Sequence, residues 1–238
     1  MNKNFNSLLA FVLHFRTYKE TSLLVDFFTR DLGRITTVAK GVKRPKSMLK
    51  PVLVPTSLLN IDISGKRELK TLKKSEIVSH FSLSSNSQIN SILYLNELLI
   101  KFIEKEDPHP LIFDRYTEVL SSLENKIKTG EVEAELRSFE LLLLEELGYG
   151  IDLYLEANTG KKIQESSTYF FDPMKGFLIN SINEITKKDL LFSGQDILNI
   201  AKGDFSSDKT RVASKRILRA ALDTHLGKKD LNIRKFFS

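Results

Sequence analysis

Through the first 80 residues apolar positions recur at every second residue. Residues 23–29, LLVDFFT, put Leu23, Val25 and Phe27 on one face, and residues 34–41, RITTVAKG, put Ile35, Thr37 and Ala39 on one side with Arg34, Thr36 and Lys40 on the other. Asp31 and Gly33, between these runs, suit a hairpin turn. AFVLHF (10–15), SLLNIDIS (57–64) and ELKTLKKSEIVSHF (68–81), the last two joined by a turn at Gly65 and Lys66, bring the total to about five strands. Five short strands with a long connection before the fourth suit a Greek-key barrel of the oligonucleotide-binding (OB) type, and an SH3-like barrel has the same strand count.

Near residue 84 the period lengthens to that of helices. Residues 84–107 bring Ile89, Ile92, Leu93, Leu99 and Phe102 together at steps of three and four, with Asp107-Pro108 as the stop. Residues 109–130 predict a second helix closed by Gly130. The third, residues 131–148, has leucines almost all round its wheel, as expected of a buried helix, with Gly148 as its C-cap. Residues 151–182 lose the period, although TYFFDPMKGFLI (168–179) reads as a β-hairpin. Two or three helices follow, the clearest over residues 208–227, where Ala213, Ile217, Ala220 and Thr224 share a face. The expected class is α+β, with an OB-type barrel over residues 1–80. A helical domain follows over residues 81–238, and residues 151–182 form its irregular insertion.

Charge sharpens this division. Residues 1–80 carry a net +9, residues 81–208 a net −10 and residues 209–238 a net +7, which together make the +6 of the 238-residue chain. A basic–acidic–basic order points to a polyanion partner at localised patches. The densest patch is AKGVKRPKSMLKP, Ala39 to Pro51, with Lys40, Lys43, Arg44, Lys46 and Lys50 and no acid among them. It falls in the long connection, where Pro45, Pro51 and Pro55 keep the chain out of a central strand. A second patch lies on the last long helix, whose Arg211, Lys215 and Arg219 line the side opposite its apolar face, with Arg216 at the border. Leu218 and Leu222 beside this stripe would equally suit an acidic, apolar peptide tail.

Catalytic and metal chemistry finds little support. With no cysteine and four scattered histidines, thiolate metal sites are excluded and a structural zinc is not expected. Adjacent Glu145 and Glu146 project about 100° apart and cannot chelate one ion. Glu131, Glu133 and Glu135 form a helix N-terminal acid cluster that the macrodipole favours without catalysis. Phosphate-loop, dinucleotide, zinc-protease and nucleophile-elbow motifs are all missing, so a non-enzymatic protein without cofactors is expected. The N-terminus lacks a signal peptide and no run of 18 apolar residues occurs, which predicts a cytoplasmic protein.

Several spaced motifs in one order resemble the bacterial RecO family of DNA repair and recombination mediators. They are E-T-S-L (Glu20–Leu23), G-R (Gly33-Arg34), A-K-G (Ala39–Gly41), R-x-F-E-x-x-L-L (Arg137–Leu144), L-G-Y (Leu147–Tyr149) and L-x-x-R-x-x-F (Leu231–Phe237). The resemblance runs from about residue 10 to the C-terminus. It implies an OB barrel followed by a helical domain, in a protein that binds single- and double-stranded DNA and anneals strands coated by single-stranded-DNA-binding protein. It also implies that the protein helps load RecA together with RecR. In many members a four-cysteine zinc ribbon follows L-G-Y; LYLEANTGKK and FFDPMKGF stand there instead, so no metal is carried over. Candidate phosphate contacts are Arg16, Arg34, Lys40, Lys43, Arg44, Lys46, Lys50, Lys66, Arg67, Lys70 and Lys73 on the barrel, with Arg211, Lys215, Arg216 and Arg219 on the last helix. The absence of Trp, with most Phe expected to be buried, argues against base stacking as the main grip. The alternative reading is a basic OB-fold adaptor that binds RNA or a peptide and does not anneal.

Overall fold

The computed structural model describes residues 4–65, 68–125, 128–179, 190–227 and 231–233. The chain forms two compact units, Met1–Ile127 with Leu231–Ser238, and Lys128–Asp230.

The first unit is built on strands β1 (Asn4–Tyr18), β2 (Ser22–Thr29), β3 (Gly33–Ala39), β4 (Ser57–Ser64) and β5 (Leu69–His80), closed into a barrel in the order β1-β2-β3-β5-β4. Parallel pairing of β3 with β5 and antiparallel pairing of β1 with β4 select the OB topology from the two barrels the strand count allowed. The long strand β1 is irregular between Phe5 and Leu8 and between Val12 and His14, and such bulges let a strand bend around the barrel. The first half of β1 pairs with β4 and its second with β2. Alternation fills the interior with Leu8, Ala10, Val12, Val25, Phe27, Ile35, Leu59, Ile61 and Ile63.

Helices α1 (Asn86–Phe102) and α2 (Pro110–Glu124) pack with the barrel. Phe11, on the outer face of β1, meets Phe113 and Tyr116 of α2 at ring separations of 5.2 and 4.9 Å, and Phe28 meets Phe113 at 5.4 Å. Arg30 donates two bonds of 2.8 Å to Asp114, and this guanidinium holds the Asp114 carboxyl below the ordinary carboxylate value. The buried face of α1 differs from the one its apolar residues suggested. Ile89 and Leu93 are exposed, whereas Gln88, Ser91 and Asn96 are buried. Each of the three has a hydrogen-bond partner: Gln88 donates to the Leu123 carbonyl, Ser91 to that of Ser87, and Asn96 to that of Leu13.

Tyr116 completes this network by donating to Asn96 Oδ1 at 2.5 Å, and burial pushes its phenol pKa up, which keeps the proton on. Tyr116→Phe leaves that oxygen without its donor and should cost about 1–3 kcal/mol. Urea unfolding checks this; a loss below about 0.5 kcal/mol would mean that Asn96 takes another donor.

The second unit contains α3 (Thr129–Glu146), a three-stranded sheet in the order β7 (Gly176–Ile179), β6 (Thr168–Asp172), β8 (Leu191–Ser193), then α4 (Gly194–Ala201) and α5 (Asp208–Leu226). The 168–179 hairpin is present, and β8 is a strand that the sequence pattern did not show. Gly130 does not close α2, which ends at Glu124; it lies in the first turn of α3. Gly148, at φ 79°, does end α3: its N–H bonds the Glu145 carbonyl and that of Tyr149 bonds the Leu144 carbonyl. On α5 the buried face holds Thr210, Ala213, Ser214, Ile217, Leu218, Ala221 and Leu222, while Thr224 is exposed. Thr210 can sit inside because it donates to Asp196 of α4 at 2.8 Å.

Candidate nucleic-acid interface

Strand register places the barrel's outward side chains in rows. Arg16 of β1 lies opposite Leu24 of β2, Leu24 opposite Val38 of β3, and Val38 beside Thr71 of β5. The row two residues away, about 7 Å along the strands, is His14, Asp26, Thr36 and Leu69. Its one acid is engaged, because Asp26 accepts the Thr36 hydroxyl at 2.5 Å. Arg16 thus stands exposed on a surface of small and apolar side chains, with Lys73 exposed two residues beyond Thr71 and Lys40 exposed just after β3.

The connection from β3 to β4 carries the rest of the charge. It is a run of turns: Lys43 N–H donates to the Thr21 carbonyl, Arg44 to Gly41, Ser47 to Arg44, and both Val52 and Leu53 to Leu49. Val42 and Leu53 are buried in the barrel core, and Leu49 and Val52 pack against it. Lys40, Lys43, Arg44, Lys46 and Lys50 all remain exposed and make no ion pair among the described residues. An apolar underside inside the barrel leaves a charged upper side facing solvent.

The other candidates are placed differently. Arg34 donates from Nε to the Ile103 carbonyl at 3.0 Å, and Lys70, only 5% exposed, pairs with Glu106. Both cations hold the α1–α2 connection against the barrel end. Lys66 and Arg67 lie outside the described residues, as does most of the L-x-x-R-x-x-F motif after Ile233. On α5, Arg211 is half-buried, paired with Asp208 and bonded to the Phe205 and Ser206 carbonyls. Arg216 lies 4.8 Å from the Phe192 ring centre. Lys215 and Arg219 are exposed, Arg219 at 3.8 Å from Asp223. Leu218 and Leu222 are fully buried, so the apolar member of this face is Val212. Phe15 and Tyr18, flanking Arg16 along β1, carry no signal in the sequence pattern. Phe15 is 46% exposed, and Tyr18 is partly exposed with Lys19 Nζ 5.5 Å from its ring.

The chain matches the family models Recombination protein O N terminal over residues 6–81 and Recombination protein O C terminal over residues 88–234. It belongs to the recombination protein O family. Relatives named DNA repair protein RecO include one from Haemophilus influenzae (strain 86-028NP), 41% identical over 96% of this chain and 94% of its own length. Another, from Actinobacillus pleuropneumoniae serotype 7, is 40% identical over 96% and 92%, and one from Mannheimia succiniciproducens is 39% identical over 95% and 97%. The zinc ribbon implied for many RecO proteins does not fit the residues present. Carboxylates organise this region instead. Asp152 Oδ1 accepts the N–H groups of Tyr154 and Leu155, and Asp172 Oδ1 accepts that of Met174. No three His, Cys, Asp or Glu side chains gather as metal ligands among the described residues. Within the same limit, no helix is long and apolar enough to cross a membrane.

Proposed function

We propose that this chain binds single- and double-stranded DNA through the charged connection and the outer face of its OB barrel. It anneals complementary strands coated by single-stranded-DNA-binding protein and, with RecR, helps load RecA onto the single strand, as a cytoplasmic protein associated with the nucleoid during repair. The supporting observation is the set of five exposed cations, Lys40, Lys43, Arg44, Lys46 and Lys50, on a connection anchored in the core of an OB barrel. Each cation that meets a phosphate releases a condensed counterion, and cations shared between two strands lower the repulsion that slows pairing. Arg16 and Lys73 extend the same surface along the barrel, with Tyr18, on the same side of β1 as Arg16, as a place for an unstacked base.

On α5, Val212, Lys215 and Arg219 offer the acidic, apolar tail of the single-stranded-DNA-binding protein a smaller, mixed face. The engagement of Arg211 and Arg216 within their own unit favours the barrel as the main DNA grip. The proposed role involves neither ATP hydrolysis nor strand cleavage. Annealing of complementary oligonucleotides, naked and coated, tests it. The expected result is faster pairing in both cases without ATP. No acceleration at concentrations that saturate single-stranded DNA would overturn annealing, and tighter binding to folded RNA than to single-stranded DNA at equal salt would favour an RNA role.

A further inference from the structure

The second unit holds a cleft of about 430 Å³ among the turn after α3, the 152–160 turn, the β6–β7 hairpin and His225 of α5. The Tyr149 and His225 rings stack there at 3.9 Å and 15°, and Tyr149 is still 43% exposed. Glu156 also lines the cleft and is only 6% exposed. One of its carboxylate oxygens accepts the Thr159 hydroxyl at 2.8 Å. Among the described residues the other has only the Ile179 N–H at 3.5 Å, beyond the range of a strong bond. Among the described residues Glu156 makes no ion pair, and Lys175, the one lysine or arginine of those residues that lines the cleft, is exposed. A carboxylate this deeply buried ordinarily has a full set of strong donors or a cation beside it.

The unfilled side of Glu156 and the open face of an aromatic ring share one cleft, and both attract the same ligand chemistry. A planar guanidinium donates in pairs to a carboxylate and stacks on an aromatic face. A metal ion is a poorer match, since it needs more hard ligands than one carboxylate and the half-used Asp152 supply. We propose that this cleft receives an arginine side chain of a partner protein, its guanidinium held between the Glu156 carboxylate and the Tyr149 ring. The proposal uses none of the barrel cations and stands independently of the DNA reading.

The test is a titration of the full chain, followed by NMR, with N-acetyl-L-arginine methylamide and with the citrulline analogue, which has nearly the same shape and no charge. Arginine should shift the Tyr149 and His225 ring signals and the Met174 methyl, with a dissociation constant on the order of a few millimolar. Citrulline should not. Glu156→Gln keeps an acceptor for Thr159 and should bind arginine at least about tenfold more weakly, the loss of a charge-assisted pair. Tyr149→Leu should weaken it severalfold, while a variant lacking Lys43, Arg44 and Lys46 should bind as the parent does. Equal shifts with citrulline, no saturable shifts with arginine, or undiminished arginine binding in Tyr149→Leu would each overturn the proposal. Should Glu156→Gln fail to fold, the citrulline comparison and Tyr149→Leu still decide it.

Discussion

Replacing Lys43, Arg44 and Lys46 together by alanine should make the dependence of log K for DNA on log salt shallower by roughly 2 to 3 units, near 0.7–0.9 for each phosphate left without its cation. Carried from 1 M salt to physiological ionic strength, the counterion term alone weakens binding by roughly 40-fold to 300-fold, about equally for every sequence. The fold should survive, because the three side chains are exposed and the anchors Val42, Leu49, Val52 and Leu53 are untouched. Salt titration of a labelled oligonucleotide measures the slope, and circular dichroism checks the fold. An unchanged slope in a folded variant would assign the loop to a protein partner and move the DNA grip to Arg16, Lys73 and the remaining barrel cations.

Gly33→Ala should be among the most damaging single substitutions in the first unit. Gly33 opens β3 at φ 65°, where an L-residue costs about 1–2 kcal/mol. A Cβ there would also fall inside the contact distance of the Asp107 carbonyl. Backbone on both sides leaves nothing flexible to yield. The α1–α2 connection would have to lift, loosening the Glu106 N–H bond to the Arg34 carbonyl, the Arg34 bond to Ile103 and the Lys70–Glu106 pair. Together these give about 3–5 kcal/mol, a large part of the stability of an ordinary domain. Thermal melting decides it; a midpoint within roughly 2 °C of the parent would show that the connection can move aside at little cost.

The barrel was legible because its strands alternate cleanly and because the proline-rich connection falls before the fourth strand. Inward Val25, Phe27 and Ile35 are where the period of two put them. The buried face of α1 was not legible, for a definite reason. Three polar side chains, Gln88, Ser91 and Asn96, occupy it once their bonds are made, and two apolar ones, Ile89 and Leu93, are left outside. Apolar periodicity assumes that polar means exposed, and hydrogen bonding across a packed interface breaks that link. The basic residues divide in the same way. Sequence gives the sign of Arg34, Lys70 and Arg211 but not the carbonyls and carboxylates that fold back to meet them, whereas the acid-free run from Lys40 to Lys50 kept its charge exposed. The Glu156 cleft had no local signal, because Tyr149, Glu156 and His225 are brought together only by the fold.

The anchoring of the β3–β4 connection has a kinetic and entropic side. A loose basic loop would lose much of its conformational freedom on meeting a nucleic acid, and that loss would offset part of the attraction to each phosphate. Here Val42 and Leu53 already sit in the core and successive turns fix the backbone between them, so ordering costs are met when the barrel folds. If the loop is the DNA grip proposed above, its cations would reach the nucleic acid as a prearranged array, with only their side-chain rotamers left to settle.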